Sequence, residues 1–122
     1  LPGLDLLLSS PLVRAWQTAE IVAAAYDDMP IGILDAAASG DRTDLLDALR
    51  ETPEGATVAV VGHEPTHGYW TSWLLAGGDA DFVAYKKGEA CAVEFGSDVE
   101  PGAARLLWKL RPKQLRALGA AE

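Results

Sequence analysis

The sequence predicts an α/β protein, a three-layer, mostly parallel sheet with flanking helices. Three observations carry this. An apolar run, a sharp turn and a helical pattern follow one another over residues 5–26, and again over 57–76. Both apolar runs, Leu6-Leu7-Leu8 and Val58-Ala59-Val60-Val61, lack polar alternation. Such runs suit strands covered on both faces, as in parallel sheets. The C-terminal part reads differently: residues 90–95 and 105–110 are joined by a Pro- and Gly-containing loop, which predicts an antiparallel hairpin at the sheet edge.

The elements follow in order. Residues 5–9 form the first strand, and Leu4 can begin it. Ser10 is a good N-cap and Pro11 a good first helical residue, because that position needs no N–H. Leu12, Trp16, Ala19, Ala23 and Tyr26 recur at helical spacing and predict one apolar face laid on the sheet. Asp27, Asp28 and Pro30 stop the helix. Residues 31–34 suit a short strand and 36–40 a flexible small-residue connection. Asp41 or Thr43 caps a helix through Leu45, Leu46 and Leu49 to about Arg50. Residues 52–55 turn into the central strand 58–61, which Gly62 ends. Pro65 then opens a helix whose buried stripe is Tyr69, Trp70, Trp73 and Leu74, and Gly77-Gly78 ends it. After the hairpin, Pro112 precedes a short helix over 113–118.

With 122 residues the chain can bury the core of one domain, and residues 1–122 read as one. Ten Lys and Arg against 18 Asp and Glu give a net charge of −8, which argues against nucleic acid and anionic membrane surfaces as partners. One cysteine, Cys91, allows no internal disulfide and fits a reducing, cytoplasmic setting. One Cys and two His lack the spacing of a metal-ligand set, so neither metal nor other cofactor is expected. No apolar run reaches the ~20 residues of a membrane span. The chain starts at Leu1 rather than Met and enters a core strand almost at once. The expectation is a removed native start or a piece of a longer reading frame.

Two residues stand out. His63 follows the second strand directly, at the strand end where open α/β sheets bind ligands. Arg14 lies one turn into the first helix, and helical side chains lean toward the N-terminus. Its guanidinium can thus reach the mouth of the first strand, where free helix N–H groups add positive potential. A guanidinium grips two phosphoryl oxygens in fork geometry, and a protonated imidazole donates to a third. Phosphoryl transfer asks mainly for such positioning and charge. Neither residue supplies a nucleophile. His67 is expected to pack or be solvated.

Two segments carry a family likeness. Ser9-Ser10-Pro11-Leu12-Val13-Arg14-Ala15-Trp16-Gln17-Thr18-Ala19 resembles the Ser-Pro-x-x-Arg-Ala-x-Gln-Thr-Ala motif of the histidine phosphatase superfamily, which has the phosphoglycerate mutase-like fold. Val60-Val61-Gly62-His63-Glu64-Pro65 resembles its second histidine motif. Lys86-Lys87-Gly88 and Leu110-Arg111-Pro112-Lys113-Gln114-Leu115 resemble features of its compact branch, the SixA-type phosphohistidine phosphatases. The likeness runs over nearly the whole chain.

The resemblance implies a metal-independent phosphatase that passes the phosphoryl group through a covalent phosphohistidine. Its nucleophile lies in an Arg-His-Gly motif after the family's first strand, and no such motif occurs here. The expectation is therefore an N-terminally incomplete domain lacking that strand, the larger part of such an enzyme. Arg14 carries over as the phosphate clamp and His63 as the second pocket histidine. Ser10 is a third substrate-binding candidate, although capping alone explains it. Asp35 stands roughly where many members keep a proton donor, and reads as a solvated loop aspartate. Glu64 is expected to be structural. Short connections between Arg14 and His63 favour an open pocket, suited to a phosphorylated protein or a small phosphorylated metabolite. A non-catalytic phospho-ligand or partner-binding domain is the alternative, and a flavodoxin-like or receiver-like surface module a third.

Overall fold

A computed structural model describes residues 3–114. The chain falls into two compact units, Leu1–Thr66 and His67–Glu122. The first holds β1 (Leu6–Ser9), α1 (Val13–Ala25), β2 (Gly32–Ile33), α2 (Ala36–Ser39), α3 (Arg42–Arg50) and β3 (Val58–Val61). The second holds α4 (Thr66–Ala76, from its second residue on), β4 (Ala90–Glu94) and β5 (Arg105–Leu110). No helix among the described residues is long and apolar enough to cross a membrane. The helix expected over 113–118 lies mostly outside the described residues.

In the first unit β1 is central, with β2 on one side and β3 on the other, all parallel. Leu6 pairs with Val58 and Ser9 with Val61. Asp5 fixes this register at the amino end: its N–H donates to Thr57 O (2.9 Å), and its carboxylate accepts from Thr57 N (2.7 Å). Burial alternates along β1, with Leu7 and Ser9 fully buried and Leu6 and Leu8 half-buried. All four residues of β3 are half-buried, where burial on both faces was expected. Strand position explains this: among the described residues β3 stands at the sheet edge, with β1 as its one strand neighbour.

Helix α1 lies against β1 and β3 through Ala15, Ala19 and Ala23, spaced four apart and all buried. Small side chains let the helix approach the strands closely, so alanines do what Leu12, Trp16 and Tyr26 were expected to do. Leu12 is half-exposed; Trp16 and Tyr26 are partly covered. The helix begins at Val13, two residues later than Pro11 predicts. Asp27 and Asp28 end it in the left-handed conformation, which Asp tolerates better than most residues. Residues 36–39 form a single helical turn, α2, rather than a flexible connection. Ala36 and Ala37 are buried there, and Gly40 closes the turn in a left-handed C-cap. Asp41 caps α3 through bonds from Thr43 N (3.0 Å) and Asp44 N (3.2 Å).

In the second unit α4 buries Trp70, Trp73 and Leu74, whereas Tyr69 is half-exposed. Ser72 is fully buried; its hydroxyl donates to Gly68 O (2.8 Å) and accepts from Phe82 N (3.1 Å) and Val83 N (3.0 Å). The helix end is satisfied by the chain before β5: Gly102 N donates to Trp73 O and Ala104 N to Leu74 O. Gly102 has positive φ (81°), a conformation that glycine adopts without the steric cost of a side chain. β4 and β5 pair antiparallel with a bulge between Ala92 and Val93, as a sheet of their own. One continuous sheet was expected. Among the described residues no strand joins β3 to β4, so the parallel and antiparallel parts are separate.

Tyr85 links the pieces of this unit. Its hydroxyl shares a hydrogen with Thr71 Oγ1 (2.7 Å), and Lys109 Nζ sits 5.1 Å from its ring centre. His67 stacks on Trp70 and meets Tyr85 edge-on, which is the packing role expected of it. Burial pushes the Cys91 thiol up from its ordinary pKa.

Candidate active site

The carboxyl ends of β1 and β3 lie side by side. Open parallel sheets bind ligands at that end of their strands. Ser10 N donates to Val61 O (2.9 Å), which extends the ladder one step beyond β1. Ser10 is completely buried, and His63, two residues past β3, is half-buried. Their side chains touch: His63 Nε2 lies 2.9 Å from Ser10 Oγ.

Ser10 is not the N-cap of α1. Leu12 holds that position and offers no capping side chain. Ser10 Oγ instead accepts from Leu12 N (3.2 Å) in a local turn, while Ser10 O accepts from Ser9 Oγ (2.9 Å). The turn consumes Leu12 N–H and leaves the first-turn N–H groups of α1 without a side-chain cap. There is no acidic residue in that turn. The positive end of the helix is thus uncompensated locally.

Arg14 is the second residue of α1, four positions after Ser10, and is exposed. Its guanidinium makes no hydrogen bond or ion pair among the described residues. Its backbone carbonyl accepts from Thr18 Oγ1 (3.1 Å). Asp35 follows β2 at the same end of the parallel sheet; it is exposed and makes no side-chain capping bond. Leu34 N donates to Ser9 O (2.9 Å), which ties this corner to β1. Glu64 is exposed, one residue past His63, and the peptide from Glu64 to Pro65 is cis. Helix α4 starts at Thr66, one residue after Pro65. His67 belongs to the other compact unit.

The structure therefore joins Ser10 to His63 and places Arg14 and Asp35 on the loops and helix starts that follow neighbouring strands. Among the described residues the Arg14 guanidinium makes no hydrogen bond or ion pair, and His63 Nδ1 makes no hydrogen bond. Guanidinium and imidazole groups are of the kind that can bind a small oxyanion. The Ser10–His63 contact was not predicted. It depends on the pairing of Ser9 with Val61, which no residue pattern announces.

No protein-family model matches the chain, and no curated protein is significantly similar to it. A solved structure is. The chain is similar to the protein histidine phosphatase SixA complexed with tungstate, with a TM-score of 0.72 and 26% identity over 93% of this chain and 72% of that one. The fold is histidine phosphatase-like, and the likeness supports a phosphatase-like function at the level of that family.

Proposed function

We propose that this chain is the larger part of a SixA-like phosphatase that hydrolyses phosphohistidine or phosphomonoesters through a covalent phosphohistidine. The nucleophilic histidine lies outside this chain in this reading. The observation that carries it is the contact between Ser10 and His63 at the carboxyl end of a parallel sheet in a SixA-like fold, with Arg14 four positions after Ser10 and without an ion pair among the described residues. Tungstate, bound in that similar structure, is a tetrahedral oxyanion like phosphate.

In this scheme Arg14 takes two phosphoryl oxygens in its fork and His63 donates to another. Both stabilise the charge that spreads over the equatorial oxygens as the phosphorus transfers. The P–O or P–N bond to the leaving group breaks as a P–N bond forms to the nucleophile. Water then attacks the phosphohistidine, returning inorganic phosphate and free imidazole. His67 is packed against Trp70 and Tyr85, which supports neither nucleophile nor acid duty for it. Asp35, exposed at the same sheet end, is available to protonate a leaving group but is not required by the scheme.

Exposure supports one substrate class. Leu12, Val13 and Ile33 are all about half-exposed or more, close in sequence to Ser10 and to the end of β2. An open, partly apolar rim favours a phosphorylated protein over an enclosed metabolite. The test is the full-length protein assayed on a phosphohistidine protein and on a panel of sugar phosphates, with tungstate as inhibitor. Turnover of the first, blocked by tungstate, is the expected result. Tungstate binding without turnover of any substrate would instead favour a non-catalytic phospho-ligand domain. The codons preceding Leu1 give a second check: a strand followed by Arg-His-Gly is expected there.

A further inference from the structure

We propose that Ser10 is a positioning residue that fixes the tautomer of His63, so that the neutral ring carries its proton on Nδ1 and presents that N–H to the bound oxyanion. The inference builds on the phosphatase reading above, but its first measurement does not depend on it.

The argument is an accounting of one hydroxyl. Ser10 is completely buried, so its O–H and lone pairs must be satisfied within the protein. A hydroxyl has one hydrogen to give and two sites to accept with. One accepting site takes Leu12 N–H. The other polar neighbour of Oγ is His63 Nε2, at 2.9 Å. If the ring donated Nε2–H to Ser10, the hydroxyl hydrogen would have no acceptor among the described residues. An unmade donor in a buried position is the costlier arrangement. If the hydroxyl donates to Nε2, every site is used. The hydrogen bond to one ring nitrogen decides the state of the other, so the ring hydrogen then sits on Nδ1.

Nδ1 makes no hydrogen bond among the described residues, and the ring is half-buried rather than enclosed. The donor is thus available to an anion without the ring becoming an imidazolium. That departs from the expectation of a protonated imidazole beside the phosphate. It also gives Ser10 a role other than contact with substrate: the hydroxyl is committed to Leu12 and His63.

The test uses uniformly 15N-labelled full-length protein. Long-range proton–nitrogen correlation spectra are recorded above about pH 8, where an ordinary histidine is neutral. His63 is assigned by the loss of its signals in His63→Gln. The expected pattern is Nδ1–H in the native protein and in Ser10→Thr, which keeps the hydroxyl, and loss of that pattern in Ser10→Ala. Turnover should fall on the order of tenfold in Ser10→Ala, the scale of losing a group that orients an imidazole, and recover in Ser10→Thr. A native His63 protonated on Nε2 overturns the proposal, as does an unchanged Nδ1–H pattern in Ser10→Ala. The native spectrum decides even if Ser10→Ala does not fold. Tungstate is then added. A shift confined to Nδ1–H is expected; an Nδ1–H tautomer that tungstate leaves untouched would sink the oxyanion-site reading while the tautomer assignment stands.

Discussion

Arg14 and His63 are held in opposite ways. His63 is clamped by a buried hydroxyl, whereas Arg14 is exposed and has no internal partner among the described residues. Each should still be needed for turnover, because each supplies charge or a donor that no neighbour replaces. Removing one such donor from a transition-state site costs about 10²–10³ in rate. Arg14→Ala and His63→Ala in the full-length protein should each show a loss of that order in kcat/KM, whereas His67→Ala should change kcat/KM little. Equal losses at His63 and His67 would place the site wrongly. A second residue-scale prediction concerns Glu89. Its carboxylate accepts from Lys109 Nζ (2.6 Å) and from Lys86 N (2.6 Å), and these bonds, Lys109 foremost, hold its pKa below the ordinary value. A depressed folded pKa stabilises the protein above the unfolded value and stops doing so as pH falls through the folded one. The stability lost in Glu89→Gln, measured by denaturant titration, should therefore be full at pH 7 and shrink as pH drops below the ordinary carboxylate range. A difference that grew on acidification would contradict the bond pattern. Arg14 and His63 stand out in the sequence as candidates because guanidinium and imidazole chemistry is carried by single side chains. The contact of Ser10 with His63 was not legible, since the two lie 53 positions apart.

At the scale of elements, local signals served well where one residue type sets the backbone. Asp41 caps α3, Gly77 follows the end of α4, and β5 spans the expected residues. They failed where tertiary packing decided. The alanines of α2 read as a loop because the sequence shows no periodicity over four residues, yet Ala36 and Ala37 are buried and the turn closes on Gly40. Leu12 matched the helical stripe of α1 but lies at its N-cap, outside the face that meets the sheet. Ser72 carried no signal at all, although its hydroxyl holds the backbone of residues 82 and 83 against α4. Removing it leaves two part-buried N–H groups without this acceptor. Ser72→Ala should lower the melting temperature and, more tellingly, speed hydrogen exchange at Phe82 and Val83 while exchange in β3 is unchanged. Uniform acceleration throughout the protein would mean the serine acts on global stability rather than as a strap.

At the scale of the whole molecule, the question is what the β3 edge does in water. Val58–Val61 is four apolar residues with no charge, proline or bulge among them, all half-buried, and β1 is its one strand neighbour among the described residues. Natural edge strands are normally guarded by one of those devices, because an unguarded edge is a template for pairing with another chain. The β4–β5 sheet adds half-exposed Leu106 and Leu107. Parallel sheets in α/β proteins bury their strands on both faces, so a VAVV run at an edge is in the wrong place for stability by itself. If a further strand from outside these residues covers it in the full-length protein, the two forms will behave differently. The 122-residue chain expressed alone should self-associate, with light scattering rising with concentration, and a charge placed on the edge by Val58→Lys should suppress it. In the full-length protein the same substitution should destabilise the fold instead, since the lysine would then fall inside a sheet. A sharp, reversible, monomeric melt of the 122-residue chain would show that β3 needs no further neighbour, and the proposal of a strand beyond this chain would lose its structural support.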